Sequence, residues 1–535
     1  MATQTTAAEQ SAAFHGALDA RGIFEILEEH GLLRETVSPD GWRHSAEALP
    51  DLGFDAVSYD TRAVTPTTLL FCKGEGFKAS YLAAANDAGL TAYVSEREYA
   101  DATDALGFIV TDVQKAMALL CAEFNGHPER QLTTIGITGT KGKTTTAYYV
   151  HAILSAHSGN KAAMLTSVDN CVDGEHYVES NLTTPESLDL FDLMRQAVDA
   201  GMRYLVMEVS SQAYKKNRVH GVEYDEAAFL NISPDHISPI EHPTFEDYFA
   251  CKRQLLRHAR HITVCADCDH LPLIVDEARR YAGEGNVALY GVRGGDTDGL
   301  DYVAFPEDGG MRFIEHQGRD GNGLRTNLGL HRLAMEGSFN DANALAAVAI
   351  CRNLGVPDDS PALATVDATR VSGRMERMVS PDGIVAYIDY AHNFLSLKEL
   401  EENVMARYPD PRIVVVSGSV GGKALIRRQE IAQAAQLHAA HVIFTADDPD
   451  REDPRAIAEE MRSHVTDPTV ETEVIPDRAK AVEAAVLDAR RHPEATNVLL
   501  VVGKGEEEWI KVDGRHAPYE GDPNVLTRMF AAASK

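Results

Sequence analysis

Residues 133–146 read Thr-Thr-Ile-Gly-Ile-Thr-Gly-Thr-Lys-Gly-Lys-Thr-Thr-Thr. A short β-branched run ends in a glycine-rich turn, and from Lys143 the apolar residues Tyr148, Val150 and Leu154 recur at helical spacing. Strand, glycine loop, Lys-Thr and helix is the layout of a phosphate-binding loop. Gly139 and Gly142 let backbone N–H groups turn inward on an anion, and the helix N-terminus adds the positive end of its dipole. Lys143 is placed to bridge phosphates, and the Thr144 hydroxyl to bind Mg²⁺. Only Thr140 and Lys141 separate the two glycines, whereas the standard loop has four intervening residues.

Working outward, strands are expected at 204–209, 226–232 and 261–264, with helices between them, and a helix at 340–354 stopped by Gly355. This is the pattern of a doubly wound, mostly parallel α/β sheet carrying a nucleotide at its strand C-terminal ends. Residues 286–335 read as shorter β segments with Gly/Asp turns, a sub-sheet. Upstream, strands at 56–59, 69–72, 92–94 and 107–110 and a helix at 116–124 form a first α/β unit. Downstream, strands at 384–389, 413–417, 442–445 and 498–502 alternate with helices at 395–408, 428–437, 454–463 and 479–490, a Rossmann-like third unit. The expected division is 1–129, 130–370 and 371–535, with a ligand held between units.

Composition agrees. Hydrophobic content of 44% and charged content of 24% belong to a globular chain. No apolar run approaches the ~20 residues of a membrane span. Residues 1–16 lack the basic and apolar regions of a signal peptide and are expected to be a frayed leader. A net charge of −31 disfavours non-specific binding to nucleic acid, and with it a P-loop motor acting on nucleic acid. Seven cysteines without a pairing framework point to a reducing, cytoplasmic setting. Cys265 and Cys268 have metal-ligand spacing but no companion pair, so ordinary cysteines are expected there.

Polar clusters follow at successive strand ends. Thr183 and Thr184, in Asn-Leu-Thr-Thr-Pro-Glu, either cap a helix or bind a ligand. Glu208, inside an apolar strand, is costly unless paired or bound to metal; Ser210, Ser211 and Arg218 follow. His236, in Asn-Ile-Ser-Pro-Asp-His, has the chemistry of a metal ligand. Lys252 reads as a surface or phosphate-contacting lysine. Asn340 is either an N-cap or an amide reading an adenine edge. Arg374 has the reach for a phosphate, and Asp389 for a ribose hydroxyl.

Taken in order, Gly-Thr-Lys-Gly-Lys-Thr-Thr, Thr-Thr-Pro-Glu, Glu-Val-Ser-Ser, Asn-Ile-Ser-Pro-Asp-His, Phe-Asn-x-x-Asn-Ala, Gly-Arg-Met-Glu-Arg and Asp-Tyr-Ala-His resemble the Mur ligase family, whose P-loop has the short spacing. The resemblance implies a cytoplasmic, monomeric enzyme that spends ATP with Mg²⁺ to extend the stem peptide of peptidoglycan. It implies that Gly139 to Thr145 hold ATP phosphates, and that Thr144, Glu208, His236 and a carbamylated Lys252 serve the metal sites. It further implies Asn340 and Asn343 at adenine, Arg374 at phosphate and Asp389 at ribose. Ser58 and Asp60-Thr61-Arg62 resemble the family's uridine turn; Thr183, Thr184, Ser211 and Arg218 would bind the rest of the UDP-linked substrate.

The added amino acid is implied by the third unit. Diaminopimelate-adding members carry Asp-Asn-Pro-Arg; here the run is Asp447-Asp448-Pro449-Asp450, and a carboxylate pairs with an ammonium rather than a second carboxylate. This, and residues 240–244, resemble the lysine-adding branch, with Gly503 and Glu507 of Gly-Lys-Gly-Glu-Glu also at the incoming amino acid. The implied substrates are UDP-N-acetylmuramoyl-L-alanyl-D-glutamate and L-lysine. Ornithine or another diamino acid is the alternative, and a folylpolyglutamate-type ligase a more distant one.

Overall fold

The computed structural model describes residues 18–532 apart from 75, 239–240, 294–298, 317–324, 336 and 423–424. The proposed leader at 1–16 and Ile240 of the lysine-branch segment lie outside the described residues. Three α/β sheets follow one another along the chain.

The first is six-stranded. Its parallel part runs Ala56–Ser58, Thr68–Cys72, Ala92–Ser95 and Leu106–Val110, and the hairpin Leu33–Ser38/Gly41–Arg43 closes one edge antiparallel. That hairpin and the helix Ala20–Glu29 were not legible in the sequence pattern. The helix is amphipathic, buries Ile23, Phe24 and Leu27, and is capped by Asp19, whose carboxylate accepts from Gly22 N at 2.7 Å.

The central sheet has eleven strands among the described residues. The P-loop strand Thr133–Thr138 lies between Tyr204–Glu208 and Tyr224–Phe229, parallel to both. Register pairs Glu208 with Ile137 and Phe229 with Thr138, so the three strands deliver their polar C-terminal residues to one level. The described strands of the expected sub-sheet at 286–335 continue the central sheet. Val287–Val292 pairs parallel with Ala259–Cys265, and Tyr302–Glu307, Gly310–His316 and Arg325–His331 extend the same sheet. A continuous ladder satisfies backbone groups that a detached sub-sheet would leave as a second exposed edge.

The third sheet runs Glu376–Val379, Val385–Asp389, Thr496–Val502, Pro411–Ser417, Ala439–Phe444 and Glu471–Val474, parallel except for the first strand. The two edge strands alternate exposure and were missed because neither has the apolar run of the inner four. A hairpin, Trp509–Val512/Arg515–Pro518, and the helix Asp522–Ala531 complete the unit.

Core packing separates these bodies unequally. One apolar core is continuous from Ile23 and Phe24 through Leu120 and Phe191 to Ala344 and Ile350, so the first two units share an interior. The third unit has its own cores on the two faces of its sheet. It therefore meets the rest mainly through side-chain contacts, the condition for domain movement. Among the described residues no helix is long and apolar enough to cross a membrane.

Candidate functional site

The glycine loop is built as its spacing requires. Gly142 caps the helix Lys143–Ser158 with φ +80°, and a Cβ there would strike Asn343 Oδ1. A Cβ at Gly139 would lie 3.0 Å from Leu230 Cβ. The loop is stapled to the segment after Tyr224–Phe229. Asn231 Oδ1 accepts from Lys141 N at 2.9 Å, Asn231 Nδ2 donates to Lys141 O at 3.1 Å, and Ser233 N donates to Thr140 Oγ1 at 3.0 Å. The sequence marked that segment for His236 and gave no sign that Asn231 and Ser233 hold the loop.

Lys143 Nζ donates to Gly139 O at 2.9 Å and Thr140 O at 3.3 Å, folded onto the loop it would leave to meet an anion. Burial and then neighbouring Arg374 lower its pKa, with Glu208 opposing. Thr144 Oγ1 lies 3.1 Å from Ser167 Oγ, and Glu208 Oε1 accepts from Ser167 N at 2.8 Å and Ser167 Oγ at 3.1 Å. Ser167 thus joins two predicted metal-site residues and was itself missed, because it lies in a short loop without a motif.

Lys252 is 2% exposed, which overturns the surface alternative. It sits on the helix Phe245–Arg253, and its Nζ donates to Gly139 O at 2.7 Å beside the Tyr248 ring. Burial and the adjacent Lys143 push its pKa well down, which disfavours the ammonium form. His236 adopts φ +56°, with Nδ1 3.0 Å from Glu241 Oε1. Its neighbour Asp235 is nearly buried. Burial alone would raise its carboxyl, but His236, Arg427 and His392 together hold it below the usual carboxylate range.

A cavity of about 600 Å³ lies between the central and third sheets, and Lys252 is buried outside its lining. Thr140 to Thr145, Thr183, Glu208, His236, Asn340, Asn343, Arg374, Asp389 and Glu507 all reach it. Asn340 is not an N-cap: the cap is Gly337, and Asn340 Oδ1 accepts from Asn343 Nδ2 at 3.2 Å. Arg374 stacks on Tyr390, reaches Thr144 Oγ1 at 3.5 Å, and its buried Nε has no hydrogen-bond partner among the described residues. Asp389 accepts from Met375 N and Ala391 N, both at 2.8 Å, and burial raises its pKa.

Other predicted residues lie elsewhere. Thr184 neither caps the following helix, whose cap is Glu186, nor faces the cavity; its hydroxyl is spent on Glu208 O at 2.9 Å. Ser211 Oγ lies 2.9 Å from His242 Nε2, and His242 Nδ1 lies 2.6 Å from Asp247. Ser58, Asp60, Thr61 and Arg62 form a turn after the edge strand Ala56–Ser58. There Asp60 accepts from Arg62 N and its guanidinium, and Ser58 Oγ from Asp60 N at 3.0 Å. In the third unit Lys504 pairs with Asp448 at 3.0 Å and with Glu507, and lies 4.0 Å over Trp509. Asp447 is buried against Gly503. Asp450 Oδ1 accepts from Gly514 N at 2.6 Å, and its Oδ2 lies 3.7 Å from Lys511 Nζ.

Hydroxyls, carboxylates and an imidazole around a glycine cradle are the donor set of a hard divalent cation beside a polyphosphate. Comparison with known proteins identifies the family. Residues 137–351 match the Mur ligase middle domain, and residues 373–505 the family described as Mur ligase, glutamate ligase domain. A UDP-N-acetylmuramyl-tripeptide synthetase of Bifidobacterium longum is 48% identical over 96% of this chain and 99% of its own length. A UDP-N-acetylmuramoyl-L-alanyl-D-glutamate–L-lysine ligase of Enterococcus faecalis is 42% identical over 94% of this chain and 96% of its own. The solved structure of a UDP-N-acetylmuramoyl-L-alanyl-D-glutamate–2,6-diaminopimelate ligase shares the fold, with a TM-score of 0.60 at 22% identity over 92% of this chain and 98% of that one. With a short-spaced P-loop at the head of the cavity and relatives matched end to end, the chain belongs to the Mur ligase family.

Proposed function

We propose that this protein joins L-lysine to UDP-N-acetylmuramoyl-L-alanyl-D-glutamate in peptidoglycan synthesis, consuming ATP through an acyl phosphate. The carrying observation is that Lys143 and Lys252 both donate to Gly139 O, while Lys143 and the hydrogen-bonded set Thr144, Ser167 and Glu208 line the cavity between the central and third units. Gly139 to Thr145 cradle the ATP phosphates, Arg374 adds a second cation, and Asn340, Asn343 and Asp389 take the nucleoside. Thr144, Glu208, His236 and Lys252 would hold Mg²⁺, which supplies charge neutralisation for phosphoryl transfer. Lys252 serves there as a carbamate: its unprotonated amine adds to CO₂, a proton leaves, and a neutral group becomes an anion.

The D-glutamyl carboxylate takes the γ-phosphoryl group, and ADP leaves. The lysine α-amine adds to the acyl phosphate, loses a proton, and phosphate departs from the tetrahedral intermediate. The residues contribute positioning and electrostatics, which is what this chemistry asks of a protein.

The lysine choice rests on the relatives' names and on Asp450 standing where diaminopimelate-adding members carry Arg. The uridine turn at Ser58 to Arg62 favours a UDP-linked substrate over a folate. On this proposal the chain divides at 129/130 and 370/371 and works as a cytoplasmic monomer. Phosphate release with the UDP-dipeptide and each of lysine, ornithine and diaminopimelate tests the function. Lysine should be the best substrate; activity with diaminopimelate alone would sink the proposal. Ornithine is one methylene shorter, which a pocket discriminates by only about 1–3 kcal/mol.

A further inference from the structure

Lys73 follows directly on the strand Thr68–Cys72, which is parallel to Ala56–Ser58 with Ser58 opposite Leu70. Both strands therefore release their chains at the same end of the sheet, one into the turn Ser58 to Arg62 and the other into Lys73. Ligands of open parallel sheets bind beyond that end. The Lys73 ammonium lies 4.0 Å over the Tyr59 ring, inside the turn, and 2.6 Å from Glu186 Oε2. The other oxygen of Glu186 lies 2.6 Å from Arg218 Nη2, and Arg218 Nη1 donates to Thr184 O at 3.1 Å. Thr183, next in the chain, lines the nucleotide cavity. A chain of contacts thus runs from the uridine turn through Lys73, Glu186 and Arg218 to Thr184, next to the cavity-lining Thr183. Two cations from two sheets share one carboxylate along it; the nearby Asp189 accepts from Tyr59 OH at 2.9 Å.

We propose that Lys73 binds the diphosphate of the UDP-linked substrate, with Glu186 holding its ammonium in place until that anion arrives. This rests on the assignment of Ser58 to Arg62 and Arg218 to the UDP-linked substrate. A diphosphate spanning uridine and sugar must pass between the turn and Arg218, where Lys73 stands. In a chain of net charge −31 such a local cation pair is what makes the path attractive to an anion. Glu186 keeps the pair desolvated and ordered without ligand, so less ordering cost falls on binding.

Titration calorimetry with UDP-N-acetylmuramoyl-L-alanyl-D-glutamate and with UDP alone tests this, alongside KM for ATP. Lys73→Met should weaken both UDP ligands by about 10-fold or more and leave KM for ATP unchanged, as for loss of a charge-assisted contact. Lys73→Arg should recover most of the affinity. Glu186→Gln should bind at least as tightly as the parent, since a competing anion is removed. A purely structural tie between the sheets predicts instead that Lys73→Met and Glu186→Gln weaken binding alike, and that result, or unchanged binding in Lys73→Met, overturns the proposal. Arg62→Ala separates the two levels: if it weakens UDP binding while Lys73→Met does not, only Lys73 is misassigned; if neither does, the uridine assignment falls as well.

Discussion

Arg427 Nη2 lies 3.0 Å from Asp235 Oδ1, an ion pair between the third unit's helix Ile426–Ala435 and the loop that carries His236. Lys141 Nζ to Glu399 Oε2 at 3.4 Å and Trp509 Nε1 to Glu179 Oε1 at 2.9 Å join the same two bodies. The third unit has cores of its own, so these polar contacts tie it to the central unit and would act as a latch if the two move apart.

Arg427→Ala should therefore release the latch. Removing one partner of a buried pair costs about 3–5 kcal/mol, and here the cost falls on closure. A fall in kcat of at least about 10-fold is expected, with a larger radius of gyration by X-ray scattering in the presence of ATP and substrate. The Asp235 carboxyl is held below its ordinary value, so this contribution is present above the unfolded value of 3.8 and is lost only as pH falls toward the folded one. Superimposable scattering profiles for variant and parent would count against the latch.

Lys252 carries the second prediction. If its buried amine is carbamylated in use, activity should drop in bicarbonate-depleted buffer and return when bicarbonate is restored. Lys252→Ala should lower kcat by about 100-fold, the scale of losing a supporting group at a metal site. The dependence on bicarbonate should disappear with it. Bicarbonate-independent activity in the parent protein would rule out the modification.

Asp450 offers a third test with a built-in control. Its carboxylate anchors Gly514 in the hairpin as well as facing Lys511. Asp450→Asn keeps an acceptor for the Gly514 N–H but removes the charge. KM for lysine should rise about 10-fold, with KM for ATP unaltered, if that charge recruits the lysine ammonium. Unchanged lysine kinetics would reduce Asp450 to a hairpin anchor.

How legible all this was depends on the kind of signal. The P-loop, Glu208, His236 and Asn340 stand in motifs at strand ends or a helix start, so order and spacing place them in one cavity before any coordinates. Ser167, Asn231 and His242 act through contacts made across the sheet, which periodicity cannot carry. Lys252 shows the limit well. Its helix was foreseeable, but burial beneath Gly139 depends on how that helix packs, and spacing alone leaves the residue either at the surface or at a phosphate. The edge strands and the hairpin after Gly505 were lost for the opposite reason: half-exposed β segments have weak apolar patterns.

Glu226 gives the last prediction, on stability. It is fully buried in the P-loop's neighbouring strand; Thr263 Oγ1 and Asn353 Nδ2 donate to its Oε1, and its Oε2 has no hydrogen-bond partner among the described residues. Burial raises its pKa from 4.5 to about 8, against the pull of those two bonds. Between these values the folded protein keeps a proton that the unfolded chain has lost. Stability must therefore fall as pH rises through that window and level off above about 8. Glu226→Gln is neutral throughout; its carbonyl can take the place of Oε1. The variant should raise Tm by a few degrees near pH 8 and by little near pH 5, read by thermal unfolding at both. An equal shift at the two pH values would mean that packing, rather than the buried proton, sets the effect.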